Sequence, residues 1–294
     1  MVRVAVITRT KDRPLLLDRA ILSIHNQTYK DFVHVIINDA GDPVSVDALV
    51  EKYQDLIGDR VKIIHNKESH GMEAASNKAI KSVETEFIAI HDDDDTWHPE
   101  FLERTVAHLA MTKAEGVVVR TDKVIESIDE NTGKVKELKR KQYLSDVKAI
   151  NLYRQMIDNQ MTPITFIYSR KTYNEIGGYD ESLPVLGDWD FGIKYLLKYD
   201  AEYLDPGFAL ANYHHRKFVA GSANSNSFGD GTDKHRYWSN KLMNKYLRGE
   251  LAGGSLGVGY IMSQLRYDQH SKAEMIKRFL PNSIVESLKK RIRS

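Results

Sequence analysis

Short apolar runs alternate with amphipathic stretches over the first 115 residues of the chain. Each run is short enough to form one buried strand, and the runs cover residues 2–7, 32–37, 61–64 and 87–90. Apolar residues at helical spacing follow at about 14–26, 45–57 and 72–83, and a fourth helix is predicted to begin at Pro99, because proline is favoured in a first helical turn. Strands that alternate with helices predict an α/β fold with a mostly parallel central sheet covered on both faces.

The composition places the chain among ordinary folded proteins. Of its 294 residues, 41% are hydrophobic and 28% are charged, which excludes disordered and low-complexity classes. Cysteine is absent, so disulfides and cysteine nucleophiles are excluded, and a metal ion would need oxygen or imidazole ligands. The first apolar run is too short for a signal peptide or a spanning helix, and we therefore expect a cytoplasmic protein.

Charge is unevenly distributed along the chain. The net charge of +1 gives no argument for nucleic-acid binding, and we expect none. Residues 272–294, however, contain seven Lys or Arg and two Glu, and a helix predicted at about 282–293 has an apolar face. This helix is expected either to lie on an anionic bilayer, as a peripheral contact at the inner face of the membrane, or to pack on the core or a second subunit of a homo-oligomer.

Polar residues follow three of the predicted strands. The first strand ends in Thr8–Arg13, the second in Asn38–Asp42 and the fourth in His91–Trp97. Because ligands of parallel sheets bind beyond the carboxyl ends of the strands, we expect these segments to meet on one rim. Arg13 supplies positive charge for a diphosphate, and Asp39 can accept hydrogen bonds from a base or ribose. No glycine-rich dinucleotide or P-loop pattern follows the first strand, which disfavours those nucleotide sites.

Four consecutive aspartates, Asp92–Asp95, are the strongest local signal. Like charges this close raise one another's pKa unless something neutralises them, and a hard cation such as Mg²⁺ or Mn²⁺ is the natural neutraliser. The alternative is an exposed acidic turn in which Asp95 or Thr96 caps the helix near Pro99. The segment also resembles the D-x-D-x-T motif of haloacid-dehalogenase-like phosphatases, with Gly229–Asp233 as a faint later motif. In that family, however, the motif usually follows the first strand.

Several segments together resemble family 2 glycosyltransferases. They are Val6–Pro14, Ser23–Tyr29, Ile36–Asp39, Gly71–Asn77 and the acidic stretch Asp92–Pro99. The resemblance covers about residues 1–220 and implies a GT-A nucleotide-sugar fold there. Residues 1–115 would form the nucleotide-binding half and residues 116–220 the acceptor-binding half. Residues 221–294 are expected to form a mobile loop, at Gly221–Gly231, and a helical basic C-terminal extension.

The resemblance also implies roles for single residues of the first half. The nucleotide would be bound by Thr8, Arg13, Asp39 and Asp92, with Asp92 nearest the ribose or sugar. Mn²⁺ or Mg²⁺ on the diphosphate would lie against Asp94 and Asp95, whose two roles the sequence does not separate.

The second half carries a predicted catalytic base. A glycine-glycine-aromatic-aspartate turn, Gly177–Asp180, precedes Leu186–Phe191, which is predicted to open a helix. The resemblance implies that an acidic pair follows this turn and that its aspartate, matched here by Asp188, is the base. Gly187 stands where the family usually has glutamate. From the residues alone, Asp188 as a helix N-cap is the alternative.

A histidine pair follows the apolar run 208–213. Some members of the family use such a histidine as a further metal ligand, and the resemblance favours His215 over His214 for that role, against a structural histidine as the alternative. Arg216 and Lys217 beside the pair are expected to bind the leaving diphosphate. The basic stretch 134–141 is expected to be a solvated hairpin, with contact to an acceptor phosphate as the alternative.

These features predict an inverting, metal-dependent glycosyltransferase. The donor would be a nucleotide-diphosphate sugar, with UDP the commonest nucleotide of the family, and the acceptor a hydroxyl of a carbohydrate or lipid-linked saccharide in bacterial surface polysaccharide or glycolipid assembly. Two other functions stay open: the phosphatase, and a non-catalytic nucleotide-sugar-binding scaffold.

Overall fold

A computed structural model of the chain describes residues 2–129, 132–217, 232–254, 257 and 259–261. Two compact units are present, residues 1–238 and residues 239–294. The predicted loop at 221–231 and the predicted helix at 282–293 lie outside the described residues.

Most of the predicted apolar runs form β-strands. The described residues contain eleven of them: β1 (Val4–Thr10), β2 (Phe32–Asp39), β3 (Val61–Asn66), β4 (Phe87–Ile90), β5 (Thr96–Trp97), β6 (Gly116–Val119), β7 (Thr121–Ile128), β8 (Val135–Gln142), β9 (Phe166–Ser169), β10 (Glu202–Leu204) and β11 (Ala211–Lys217). The four runs predicted in the first 115 residues are confirmed as β1 to β4.

The central sheet has the strand order β10-β6-β9-β4-β1-β2-β3. Its neighbours are parallel except around β9, which runs antiparallel to β4 and β6. The register pairs Thr10 with Asn38 and Ile7 with Ile90, so the polar ends of β1, β2 and β4 lie at one edge, as predicted. A second sheet of order β5-β11-β7-β8 pairs β11 with β5, which directly follows the four aspartates.

Helices lie between the strands, as the periodicity predicts. Those of four residues or more in the described part of the chain are α1 (Pro14–His25), α2 (Pro43–Lys52), α3 (Gln54–Ile57), α4 (Met72–Lys81), α5 (Phe101–Thr112), α6 (Leu152–Gln155), α7 (Arg170–Ile176), α8 (Gly187–Leu196) and α9 (Thr232–Ala252). The helix predicted at 45–57 is divided at Tyr53 into α2 and α3, and α5 begins two residues after Pro99. Across the ranges that the structure covers, no helix is both long and apolar enough to cross a bilayer.

Buried apolar side chains cover both faces of the central sheet. Along β1, Ala5 and Ile7 join the cluster that α4 and α8 complete, whereas Val4 and Val6 join the cluster that α5 completes. This alternation follows from the two-residue period of a strand. The two-faced α/β architecture predicted from the sequence is therefore confirmed, and it holds the strand ends rigidly at the rim.

Candidate functional site

The first two aspartates of the cluster are bound by side chains from the end of β1 and from the turn that follows it. Arg9 forms an ion pair with Asp92. Arg13 Nη1 donates to Asp93 Oδ1 at 2.8 Å, and the Thr10 hydroxyl donates to Asp93 Oδ2 at 2.8 Å. Asp93 is buried and so ties the ends of β1 and β4 together, while Asp92 keeps part of its surface exposed.

Asp94 and Asp95 have different surroundings. Asp94 Oδ2 accepts hydrogen bonds from Arg13 Nη2 at 3.0 Å and from Arg216, and these guanidinium groups outweigh burial and lower the pKa of Asp94. Asp95 is 1% exposed, and its Oδ1 accepts the backbone N–H of His214 at 2.7 Å. Burial and the neighbouring Asp94 raise the pKa of Asp95. Asp94, whose side chain is 15% exposed, is thus the charged and accessible carboxylate of this pair.

Arginines neutralise much of the charge of the four aspartates. The sequence predicts a metal ion in that role, but Arg9, Arg13 and Arg216 reach the cluster from β1, its following turn and β11. The acidic-turn alternative is wrong, because the N-cap of α5 is Glu100 and no side chain caps that helix.

The donor set suits a divalent cation that arrives with a diphosphate. Within the described ranges, no group of three or more His, Asp or Glu is arranged to hold a metal ion unaided. Magnesium is commonly held by one or two carboxylates together with substrate phosphates, rather than by an all-protein cage. Asp94 offers such a carboxylate. His215 Nε2 is buried and has no hydrogen-bond partner. Burial lowers the pKa of His215 to about 4, which keeps the imidazole in the neutral form that binds a metal ion. These two residues fit the group that the family resemblance implies.

Behind the cluster lies a buried polar network that sequence reasoning missed. His214 Nδ1 donates to Glu126 Oε2 at 2.7 Å, and its Nε2 is hydrogen bonded to the Thr96 hydroxyl at 2.9 Å. Arg19 Nη1 also donates to Glu126 Oε2, at 2.9 Å. His214 is therefore a structural histidine, and His215 as a metal ligand stays a prediction. A signal for Glu126 existed, since it occupies a buried position between Val124 and Ile128 in the alternating pattern of β7.

The remaining predicted nucleotide residues lie at or below the rim. Thr8 is fully buried, with its hydroxyl hydrogen bonded to His34 Nε2 at 2.9 Å. Asp39 accepts four hydrogen bonds, which use the acceptor capacity of a carboxylate; the donors are Asn66 Nδ2, Ser69 Oγ and the backbone N–H groups of His70 and Gly71. Asp39 thereby holds the loop that leads into α4. Direct contact of Thr8 or Asp39 with a nucleotide stays a prediction.

Asp188 lies in the first turn of α8. The N-cap of α8 is Leu186, so the interpretation of Asp188 as the N-cap is wrong. Asn159 Nδ2 donates to Asp188 Oδ2 at 2.7 Å. Burial raises the pKa of Asp188, and the charge of Arg9 opposes this. Arg9 also forms an ion pair with Asp92. The predicted base and the aspartate cluster therefore interact electrostatically with the same guanidinium group.

The glycine-glycine turn is bound to α4 and sets the start of α8. Asn77 Nδ2 donates to the Tyr179 carbonyl at 2.8 Å, while Asn77 Oδ1 accepts the Tyr179 N–H at 3.0 Å and the Tyr173 hydroxyl at 2.7 Å. The second acid of α8, Asp190, is buried and forms an ion pair with Lys194 at 2.5 Å. Of the two acids in the first turn of α8, Asp188 is the one that interacts with Arg9 and so with the aspartate cluster.

Residues 5–177, more than half of the chain, match the family model described as Glycosyl transferase family 2. The chain belongs to this family. It is therefore a glycosyltransferase, and the phosphatase reading of the aspartates is set aside.

Several known proteins resemble the chain over much of its length. YwdF of Bacillus subtilis (strain 168), an uncharacterized glycosyltransferase, is 24% identical over 277 residues, or 93% of this chain and 95% of that protein. MJ1057 of Methanocaldococcus jannaschii, also an uncharacterized glycosyltransferase, is 30% identical over 192 residues, 65% of this chain and 63% of that protein. The crystal structure of residues 1–349 of S. aureus TarS has a TM-score of 0.59 at 19% identity, covering 72% of this chain and 60% of that one. The predicted GT-A fold is confirmed.

Proposed function

We propose that the chain transfers a sugar from a UDP-linked donor to a saccharide hydroxyl, with inversion at the anomeric carbon. TarS, which shares the fold, has been solved with UDP and with UDP-GlcNAc. WcaA of Escherichia coli (strain K12), named for colanic acid biosynthesis, is 32% identical over 105 residues, 36% of this chain and 37% of that protein. The ligands of TarS support a nucleotide-sugar donor, and the name of WcaA supports a carbohydrate acceptor. A lipid-linked saccharide is the other acceptor that we propose. The observation that carries the proposal is the placement of Asp188 and the aspartate cluster around Arg9.

The donor's diphosphate would bind at the cationic rim of the aspartate cluster. Arg13 and Arg216, which meet at Asp94, supply the positive charge, and Asp92 keeps an exposed carboxylate for the ribose or sugar. Enzymes of this family commonly use a divalent metal. Mn²⁺ or Mg²⁺ would be held by Asp94 and His215, and when bound it stabilises negative charge on the leaving diphosphate. Asp95, turned inward, supports this arrangement through β11.

Asp188 would act as the general base. It removes the proton of the acceptor hydroxyl, whose oxygen forms the new bond to the anomeric carbon while the bond to the diphosphate breaks, and UDP leaves. A single displacement inverts the anomeric centre. Asn159 orients the Asp188 carboxylate by its hydrogen bond, and the raised pKa of Asp188 brings it closer to the working pH, where a base is most effective.

Asp188→Asn tests the proposal. The amide keeps the shape of the carboxylate but cannot accept the proton, so turnover is expected to fall by about 10²- to 10⁴-fold while UDP binding is unchanged. UDP release from UDP-GlcNAc and related UDP-sugars measures turnover, and calorimetry measures UDP binding. Asp55→Asn, at an exposed position of α3, is the matched control. In the wild type, the rate should fall as the pH drops through a value above the usual pKa of aspartate, because the base must be ionised.

The outcomes separate the rival functions. If Asp188→Asn keeps most of the wild-type transfer rate, the base is a different residue. If the wild type binds UDP but neither transfers nor slowly hydrolyses any UDP-sugar in the presence of Mn²⁺, the chain is a nucleotide-sugar-binding scaffold. A product with the donor's anomeric configuration, observed by NMR, would contradict inversion.

A further inference from the structure

A buried carboxylate from α4 lies against the first residue of α8. The Glu73 side chain is 4% exposed. A Cβ atom built at Gly187 would lie 2.2 Å from Glu73 Cδ and 2.4 Å from Glu73 Oε1. The backbone N–H of Gly187 donates to the same carboxylate. Glu73 therefore fills the space into which a side chain at position 187 would project.

The Glu73 carboxyl group also lies beside Arg9. Its Oε2 atom lies 4.0 Å from Arg9 Nη1, and Arg9 Nη2 pairs with Asp92. Burial raises the pKa of Glu73 to about 8, with Arg9 opposing this and Asp188 adding to it. Oε2 is buried and has no hydrogen-bond partner. An incompletely paired carboxyl group is costly to bury, so its position beside Asp188 calls for a role beyond packing.

We propose that Glu73 is a positioning residue for the transfer reaction, supplying from α4 the carboxylate that position 187 lacks. It contacts both the backbone at the start of α8, one residue before Asp188, and the guanidinium group shared with Asp92. Its role is to hold these two groups at the separation that the reaction requires. The inference rests on the proposed function, because it assumes that Asp188 is the base.

The test moves the carboxylate from one helix to the other. The backbone of Gly187 is not in the left-handed region, so glutamate is tolerated there once the space is cleared. Glu73→Ala is expected to lower kcat by about 10- to 100-fold with little change in the donor KM, because misplaced groups slow the chemical step. Gly187→Glu alone is expected to lower kcat as well, since two carboxylates then compete for one space. The double variant Glu73→Ala/Gly187→Glu should recover kcat at least tenfold over either single variant.

Controls keep the result interpretable. Glu51→Ala, an exposed position on α2, should leave kcat unchanged. Rates are measured at about pH 9, where Glu73 is ionised because its pKa is about 8. Glu73→Gln keeps the shape and removes that charge, and it takes the place of Glu73→Ala if that variant does not fold, as judged by thermal unfolding. The inference is overturned if Glu73→Gln keeps the wild-type kcat at about pH 9, where wild-type Glu73 is ionised, or if the folded double variant is no faster than the single variants.

The two proposals fail in different ways. If Asp188→Asn is inactive while the Glu73 variants match the wild type, only the role of Glu73 is refuted. If the wild type itself transfers no sugar, the proposed function fails and the role of Glu73 fails with it.

Discussion

Replacing Arg216 with methionine removes one of the charges that hold the aspartate cluster. The Arg216 side chain is 0% exposed, pairs with Asp94 and lies 3.6 Å from Glu126 Oε1. Breaking a buried ion pair by removing one partner costs about 3–5 kcal/mol, because the other charge is left buried. Asp94 keeps Arg13 and Glu126 keeps Arg19, so we expect the lower end, about 3 kcal/mol, which is a fall of about 6–12 °C in the unfolding midpoint for a domain of this size.

Thermal unfolding of Arg216→Met against Arg104→Met measures this effect. Arg104 forms an ion pair with Glu100 on the surface of α5 at 2.5 Å, with 42% of the Arg104 side chain exposed. Such surface pairs contribute at most about 1 kcal/mol, so the control should lose no more than about 2–4 °C. Should Arg216→Met unfold within about 2 °C of the control, Arg216 is not holding the cluster, and the account of how the aspartates are neutralised is refuted.

Two further predictions concern the glycine-glycine turn and the buried network around Glu126. Gly177 and Gly178 both have positive φ, but a Cβ at Gly178 meets two side-chain oxygens at 2.9 Å whereas one at Gly177 meets nothing within 4 Å. Gly177→Ala should therefore cost about 1–2 kcal/mol of backbone strain and Gly178→Ala clearly more in urea unfolding, and equal losses would contradict the packing described. For Glu126, burial raises the pKa, but hydrogen bonds from His214 and Arg19 outweigh this and lower it to about 2. The ionised Glu126 contributes fully to stability above the unfolded pKa of about 4.3, and this contribution is lost as the pH falls toward 2. The difference in unfolding midpoint between the wild type and Glu126→Gln should therefore narrow over that range. A constant difference would refute the pairing of Glu126 with His214 and Arg19.

The sequence predicted well the strands and helices that carry the site, because these elements follow from the pattern of apolar residues. Short continuous apolar runs identified β1 to β4, and helical spacing identified α1 and α4. The rule that ligands bind at the carboxyl ends of parallel strands then placed Arg13 and the four aspartates on one rim, where the structure has them.

The pairing of charges could not be predicted in the same way. Arg9 and Arg216 are far apart in sequence, and only the sheet pairings bring both to the aspartates. Asp94 and Asp95 are neighbours in the chain, yet one faces the rim and the other faces β11, a difference set by tertiary contacts. In the sequence, nothing distinguishes Glu73 from an exposed glutamate on a helix. Its side chain is buried because it occupies the space beside Gly187, a contact that only the tertiary structure shows.

The central claim is that the aspartate rim binds the diphosphate of a sugar donor together with a divalent cation. Crystals soaked with UDP and Mn²⁺ test it directly, since anomalous scattering locates manganese independently of the protein. We expect one manganese peak bound to the Asp94 carboxylate, with the UDP diphosphate beside Arg13 and Arg216, and no peak at Asp95. UDP bound elsewhere, or a rim without manganese and diphosphate at saturating concentrations, would contradict the account.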